Sequence, residues 1–383
     1  MGIRYDRDRR QATNGPMIFF SDPSSKELLG EEIRGAVVSQ LSFYCYRLPE
    51  DTMISFGSSE GVVEGIGVPG FAIGMFDPSL PYITIPYKGG KRDQAVKCRY
   101  EMPRESVSYE EYAREVSGII SDLQGLEEGK VVAARVVLEK ENVDLGEIFF
   151  EFTERFPEAM VFCFATPATG CWIGASPELL LEGKEGELNT MALAGTRPAA
   201  TGGQWDDKNI EEQAIVARYI CRVFEDAGLQ PVLGETYNKV TGKIEHICTP
   251  IYALRGGESD GGGEREEGEN EIEREERRPE IDLEGLLREL SPTPALCGNP
   301  KVFALEELRK YERFDRGCYG GFCGPYHSAS DFRFNVVLRC ASVNEEGVMC
   351  RYAGGGITAK SSVAAEWEET RMKLFPLFPD QRN

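Results

Sequence analysis

Three glutamates stand at spacings that suit a divalent cation. Glu366 and Glu369 are three residues apart in a helix-like segment, so they share one face, and Lys373 follows on that face. Glu212 lies near the start of another helix-like segment. Mg²⁺ usually takes one or two carboxylates together with water and substrate oxygens. From spacing alone, an exposed helix face with a Glu–Lys pair is the preferred interpretation, and a magnesium site is the alternative.

Two other side chains could move protons. Lys130 opens the apolar run KVVAARVVL, where burial would disfavour its charged form and leave an amine that can act as a base. Glu178 lies among apolar residues in GASPELL, where burial would favour the acid form that donates a proton. A lysine that reaches solvent at a strand end and a glutamate on an edge strand are the structural alternatives.

His246 and a run of glycines are candidates for ligand contact. His246 lies in the strand-like segment KIEHICT, where a lone histidine is more often a hydrogen-bonded structural residue. Gly354, Gly355 and Gly356 follow a strand pattern and would let backbone N–H groups approach an anion, or would form a tight turn. The chain has no spacing typical of a serine-hydrolase elbow, a P-loop or a zinc site.

The elements that must position these residues are patterned for an α+β fold. Apolar and β-branched runs predict strands over 130–138, 159–166, 171–175, 188–193, 331–340 and 348–353. Helical spacing predicts helices over 109–123, 208–227, 281–290, 302–311 and 364–375. Because strands and helices do not alternate regularly, a doubly wound parallel sheet is disfavoured.

Composition excludes several classes of function. A net charge of −21 over 383 residues repels nucleic acid and anionic membrane surfaces. A dianionic substrate would therefore need local cations. The eleven cysteines include no C-x-x-C pair, which favours reduced thiols in a cytoplasmic protein. No signal peptide and no apolar run approaching the ~18 residues of a membrane span are found.

The acidic segment 256–280 has almost no apolar residues, so we predict a disordered insertion. A cation-binding or partner-binding loop is the alternative, although the spacing does not match an EF-hand.

In order along the chain, ten motifs resemble the chorismate-binding enzyme family, which includes isochorismate, salicylate, anthranilate and aminodeoxychorismate synthases. They are KVVAAR, GASPELLL, MALAGTRP, KNIEEQAIV, IEHICTP, PTPALCGNPK, ERFDRGCYGGFCG, VVLRCA, YAGGGIT and EWEETRMK. The resemblance implies one domain with two antiparallel β-sheets forming a core flanked by helices. Residues 1–115 would be its divergent N-terminal part, and 116–383 its catalytic region.

The resemblance also implies roles for individual residues. Glu212 and Glu369 would bind Mg²⁺ with support from Glu366, and Lys130 and Glu178 would be the catalytic base and acid. The residues that would contact chorismate are Ala194, Gly195, Thr196, His246, Arg339, Tyr352, Gly354, Gly355, Gly356 and Lys373.

Two positions indicate the reaction within this family. Lys130 stands where the water-using members carry a base, and Ala194 stands where aminodeoxychorismate synthases carry a nucleophilic lysine. Together they favour addition of water at C2 of chorismate with loss of the C4 hydroxyl, as in an isochorismate synthase. We expect a monomer that needs no glutamine amidotransferase subunit. A salicylate synthase, an anthranilate synthase component I and an inactive scaffold are the alternatives.

Three residues depart from the family pattern. Asn209 stands where relatives usually carry an acidic residue, Gln213 where His often follows the metal-binding Glu, and Ser291 where His precedes the Pro-Thr-Pro-Ala segment. The first departure removes a carboxylate from the surroundings of the expected metal.

Overall fold

The computed structural model describes residues 17–19, 24–88, 100–126, 129–140, 144–254 and 281–374. Its helices are α1 (Ser24–Val38), α2 (Tyr109–Leu123), α3 (Leu145–Arg155), α4 (Asp207–Asp226), α5 (Leu283–Leu290), α6 (Lys301–Tyr311) and α7 (Val363–Leu374). The predicted insertion at 256–280 lies outside the described residues.

The described strands lie throughout the chain. In chain order they are β1 (Met17–Phe19), β2 (Ser42–Arg47), β3 (Met53–Ser59), β4 (Val63–Glu64), β5 (Gly70–Gly74), β6 (Ile83–Pro86), β7 (Lys130–Lys140), β8 (Met160–Thr166), β9 (Gly170–Ser176), β10 (Leu179–Lys184), β11 (Glu187–Pro198), β12 (Pro231–Leu233), β13 (Tyr237–Thr241), β14 (Ile244–Leu254), β15 (Gly298–Asn299), β16 (Phe322–Ser328), β17 (Asp331–Val336), β18 (Cys340–Val343) and β19 (Val348–Ile357).

Two antiparallel sheets carry the fold, as predicted. The first has the order β1-β3-β2-β8-β9-β18-β19-β7-β15. The second has the order β12-β14-β11-β10-β17-β16-β5-β6-β4, with β13 also paired to β14. Strands from residues 17–88 enter both sheets, so this part of the chain does not form a separate layer.

Aromatic and aliphatic side chains fill the space between the sheets. The Phe71 ring, from the second sheet, lies 5.3 Å from that of Tyr44 and 5.9 Å from that of Phe164, both in the first sheet. Helices α1 and α3 cover the outer face of the first sheet through residues such as Ile33 and Phe149. Burying this apolar surface is the main force that holds the two sheets together.

Side-chain caps fix where the main helices begin. Ser108 accepts a hydrogen bond from the N–H of Glu111, and Glu111 returns one, so α2 starts with a capping box. Asp206 caps α4 by accepting from the N–H of Asn209. At its other end α4 is followed by Gly228 with a φ of +75°, the left-handed conformation that favours glycine after a helix.

The predicted continuous strand over 331–340 is wrong. Strand β17 ends at Val336 in the second sheet, and β18 begins at Cys340 in the first. Arg339, with a φ of +48°, lies in this crossing. The segment alternates polar and apolar residues up to Asn335 and then continues with three apolar residues, so its local pattern gives no sign of the change of sheet.

None of the helices in the described residues combines the length and apolar composition that crossing a membrane requires. Ten described cysteines carry free thiols.

Candidate functional site

One cavity of about 790 Å³, partly open to solvent, collects most of the predicted site residues. All of them except Gly355 and Glu366 line it: Lys130, Glu178, Ala194, Gly195, Thr196, Glu212, His246, Arg339, Tyr352, Gly354, Gly356, Glu369 and Lys373. Its mixture of apolar walls and converging polar groups is typical of a small-molecule site.

Glu178 and Arg339 reach the cavity from places where the chain crosses between the sheets. Glu178 separates β9 from β10, and Arg339 separates β17 from β18. The two crossings are tied to their neighbours: the N–H of Ala175 donates to the Arg339 carbonyl, and that of Val336 to the Glu178 carbonyl. Backbone that leaves one sheet for the other can aim side chains into the space between them.

The surroundings of the Glu178 carboxyl group favour its protonated form. Its side chain is only 4% exposed. Burial raises the pKa of Glu178 to about 8, although the positive charges of Arg339 and Lys130 act in the opposite direction. At neutral pH this group is therefore mainly a carboxylic acid, as the sequence predicted.

Lys130 lies at the start of β7 with its amine inside the cavity. The residue is 3% exposed, and its Nζ is 3.6 Å from Glu212 Oε2. A Cβ on Gly356 would lie 2.6 Å from Lys130 Cε, so the lysine chain passes directly over the glycine. The alternative of a lysine head group that reaches solvent is wrong.

The three predicted metal ligands are arranged around lysines. Glu366 is 2% exposed, and its Oε1 accepts from Ser361 Oγ at 2.7 Å and from Lys208 Nζ at 3.2 Å. Lys208 Nζ is also 3.9 Å from Glu212 Oε1. Burial alone would raise the pKa of Glu369, but the ion pair with Lys373 at 2.8 Å and the positive charges of Lys208 and Lys130 together lower it.

The described residues contain no group of three or more His, Cys, Asp and Glu side chains converged tightly enough to hold an ion. A magnesium ion here would therefore rely on two carboxylates together with water and ligand oxygens, which is common for Mg²⁺. Glu366 Oε2 is buried without a hydrogen-bond partner, so this carboxylate has an unused acceptor.

The glycine run belongs to a strand, so the tight-turn alternative is wrong. Gly354, Gly355 and Gly356 pair in register with Ala134, Ala133 and Val132 of β7. On the other edge of β19, β18 pairs no further than Arg351. Beyond that point β19 lines the cavity, and the alternation of strand residues turns Gly355 away from it.

Gly355 and Glu366 meet behind the cavity wall. A Cβ on Gly355 would lie 3.2 Å from Glu366 Oε2. This side of the strand therefore faces α7, and a side chain at position 355 would be in tight contact with Glu366. The structure therefore does not support the predicted contact between Gly355 and the substrate.

Two other predicted contact residues are held by protein groups. Lys373 Nζ donates to the Gly354 carbonyl at 2.9 Å as well as to Glu369. The Tyr352 ring lines the cavity, while its hydroxyl shares a 2.5 Å hydrogen bond with that of Tyr100. The polar end of Tyr352 is thus engaged behind the cavity wall.

His246 and Arg339 form the polar pair at the centre of the site. His246 Nδ1 is 2.8 Å from the Gly195 carbonyl, and its Nε2 is 2.6 Å from Arg339 Nη2. Burial, aided by the positive charge of Arg339, lowers the pKa of His246 to about 3. Burial also lowers the pKa of Arg339 to about 10.

Several residues in the cavity wall or beside it were missed from the sequence. Tyr319 lines the cavity and lies in the motif ERFDRGCYGGFCG, which had signalled the region but not the residue. Lys208 stands four residues before Glu212, a helical spacing that could have linked it to the carboxylates. Leu193 and Leu338 supply apolar wall, for which the sequence gives no specific signal.

Comparison with known proteins gives the family. The family model described as chorismate binding enzyme matches residues 90–259 and 274–379. The salicylate biosynthesis isochorismate synthase of Pseudomonas aeruginosa is 28% identical over 69% of this chain and 53% of its own length. The isochorismate synthase DhbC of Bacillus subtilis is 30% identical over 53% of this chain and 48% of its own. The chain thus spans about half the length of these curated relatives.

Solved structures show the same fold. The menaquinone-specific isochorismate synthase MenF of Escherichia coli superposes with a TM-score of 0.70 at 20% identity, covering 88% of this chain and 87% of that one. Anthranilate synthase component I of Streptococcus pneumoniae gives a TM-score of 0.61 at 13% identity, covering 83% and 80%. With the family model matching well over half of its residues, the chain belongs to the chorismate-binding enzyme family.

Proposed function

We propose that this protein is an isochorismate synthase, which converts chorismate to isochorismate by adding water at C2 while the C4 hydroxyl leaves. The observation that carries the proposal is that Lys130 and a protonated Glu178 line the same cavity. The relatives named as isochorismate synthases support the choice of reaction. The net charge of −21 repels a dianionic substrate at long range, whereas the cations Arg339 and Lys373 in the cavity attract it locally.

The proton transfers follow from the two side chains. Lys130 acts as the base that accepts a proton from water, and the resulting oxygen forms its bond to C2. The ring double bonds shift, the bond from C4 to its hydroxyl breaks, and Glu178 donates the proton that lets this group leave as water. The lysine ends with one proton more and the glutamate with one fewer, and exchange with solvent restores both. Each such group contributes roughly 10²–10⁴ in rate.

We further propose that the enzyme depends on Mg²⁺. Glu212 and Glu369, which both line the cavity, would hold the ion, and Glu366, which shares Lys208 with Glu212, would support them. When bound, the ion would stabilise negative charge at the ring carboxylate of chorismate. A monomer in the cytoplasm without an amidotransferase subunit remains our expectation.

Product analysis tests the proposal. Purified protein is incubated with chorismate and Mg²⁺, and the products are separated by chromatography and followed by fluorescence. We expect isochorismate as the product, with no salicylate and no pyruvate. Salicylate in the absence of an added lyase would assign the chain as a salicylate synthase. Conversion that requires ammonia and places nitrogen in the product would assign an anthranilate synthase.

A further inference from the structure

A β-bulge lies opposite His246 at the edge of the cavity. In the pairing of β11 with β14, Ala194 is opposite Ile247 and Arg197 is opposite Glu245. Gly195 and Thr196 therefore share His246 as their single partner, and Gly195 has a φ of +71°. A bulge of this kind removes backbone groups from the ladder, and they need other hydrogen-bond partners.

Two side chains provide those partners. Asn209 Oδ1 accepts from the N–H of Thr196 at 3.2 Å. His246 Nδ1 lies 2.8 Å from the Gly195 carbonyl. The bulge is thus held from one side by helix α4 and from the other by the histidine on β14.

Asn209 is itself held in place by the cap of α4. Its backbone N–H and its side-chain Nδ2 both donate to Asp206 Oδ1 at 2.8 Å. With Nδ2 used by an acceptor, the amide can present only Oδ1 to Thr196, so the orientation of the side chain is fixed by its hydrogen bonds. The glycine at 195 allows close approach, since a Cβ there would lie 3.1 Å from Asn209 Oδ1.

The contacts of His246 specify one tautomer. The nearer partner of Nδ1 is the Gly195 carbonyl oxygen, which can only accept, so Nδ1 carries the proton; the Thr196 hydroxyl, 3.2 Å from Nδ1, can accept as well. A guanidinium can only donate, so Nε2 must be unprotonated to accept from Arg339 Nη2 at 2.6 Å. The low pKa of His246 agrees, because a proton on Nε2 would point at the cationic arginine.

We propose that Asn209 is a positioning residue that, through the Gly195–Thr196 bulge, keeps His246 in the Nδ1–H tautomer and so fixes the Arg339 guanidinium that faces the substrate. The role of Arg339 toward a carboxylate rests on the proposed function. The tautomer and its dependence on Asn209 rest on the hydrogen bonds alone. In this tautomer the Nε2 of His246 accepts from Arg339 and carries no proton that could be donated to the substrate.

Ring ¹⁵N spectra of the histidines test this directly in the intact chain. The sequence has only two histidines, His246 and His327, so a His327→Gln variant assigns the signals. Two variants follow: Asn209→Leu removes the acceptor, and Gln213→Leu is the control. Gln213 is on the same helix and donates to Thr249 Oγ1 on β14, away from the bulge.

We expect the wild-type protein and Gln213→Leu to show His246 protonated at Nδ1 only at neutral pH. Asn209→Leu should transfer a large part of the population to the Nε2–H tautomer. Kinetics with chorismate should give a KM about tenfold higher for Asn209→Leu with kcat little changed, as expected when uniform binding is lost.

The outcomes separate the two proposals. An Nε2–H or doubly protonated His246 in the wild-type protein, or an unchanged spectrum in folded Asn209→Leu, overturns the positioning role whether or not chorismate reacts. An equal loss of kcat and kcat/KM without a change of tautomer overturns it as well. The expected spectra in a protein that does not convert chorismate would remove the proposed function and leave the hydrogen-bond relay standing.

Discussion

Replacing Glu178 by Gln tests whether a buried carboxylic acid protonates the leaving group. With a pKa of about 8, the acid form outnumbers the ionised form roughly tenfold at pH 7, and the ratio is reversed at pH 9. For the wild-type enzyme we therefore expect kcat/KM to fall to about half its plateau at pH 8 and to about a tenth at pH 9. Glu178→Gln keeps the shape of the acid but cannot give up a proton, and it should lose at least about a hundredfold in turnover.

The same shift predicts a change in stability with pH. Raising the pKa of Glu178 from 4.5 to about 8 means that the folded protein binds this proton more tightly, by on the order of 5 kcal/mol. This contribution is fully present below about pH 4.5 and is lost as the pH rises to about 8. Glu178→Gln should therefore have a flatter dependence of its unfolding free energy on pH over this range.

The assays are a pH series of kcat/KM for chorismate and urea unfolding at matched pH values. Glu182→Gln is the control, because Glu182 lies on the following strand, partly exposed and paired with Arg333. It should leave the alkaline limb of the wild-type profile and the stability slope unchanged. A wild-type profile that stays flat through pH 9, or a Glu178→Gln variant with near wild-type turnover, would refute the assignment of Glu178 as the acid.

Three further predictions follow from the same geometry. Lys130→Ala should fold normally by circular dichroism and lose at least about a hundredfold in turnover. The control Lys140→Ala, at the exposed far end of β7, should keep the wild-type turnover. Equal activities of the two variants would exclude Lys130 as the base. Chelation of the metal should abolish turnover, and added Mg²⁺ should restore it. Glu369→Gln should raise the Mg²⁺ concentration that gives the half-maximal rate, and an unchanged concentration would exclude Glu369 as a ligand. Arg316→Ala should lower the unfolding free energy by about 3–5 kcal/mol in urea titrations, because it leaves the buried carboxylate of Glu312 without its counter-charge and with only the Ala134 N–H as a donor. A loss below about 1 kcal/mol would contradict this.

The fold could be predicted from the sequence where a single helix or strand stays within one layer along its whole length. The local sequence pattern was enough to predict three such elements: strand β7, the hairpin of β8 with β9, and helix α4. The residues of the site could be collected because the family motifs mark them individually. Before residue 115 the short strands alternate with glycines and turns, and no long period exists there to indicate the pairing.

What the sequence could not give depends on contacts distant along the chain. The change of sheet between β17 and β18 is set by where each strand finds its partner, and Arg339 owes its place to that crossing. The bulge at Gly195 and Thr196 is visible only once β11 is paired with β14. Lys208 likewise reaches Glu366 only after α4 and α7 have packed on the sheets.

Isotope labelling shows whether the oxygen of the new hydroxyl group comes from water. Chorismate is converted in water enriched in the heavy oxygen isotope, and the product is analysed by mass spectrometry with fragmentation around C2. If Lys130 activates solvent while Glu178 releases the C4 hydroxyl, the isochorismate formed carries one heavy oxygen, at C2. Isochorismate without the label would show that the hydroxyl does not come from water and would contradict the account.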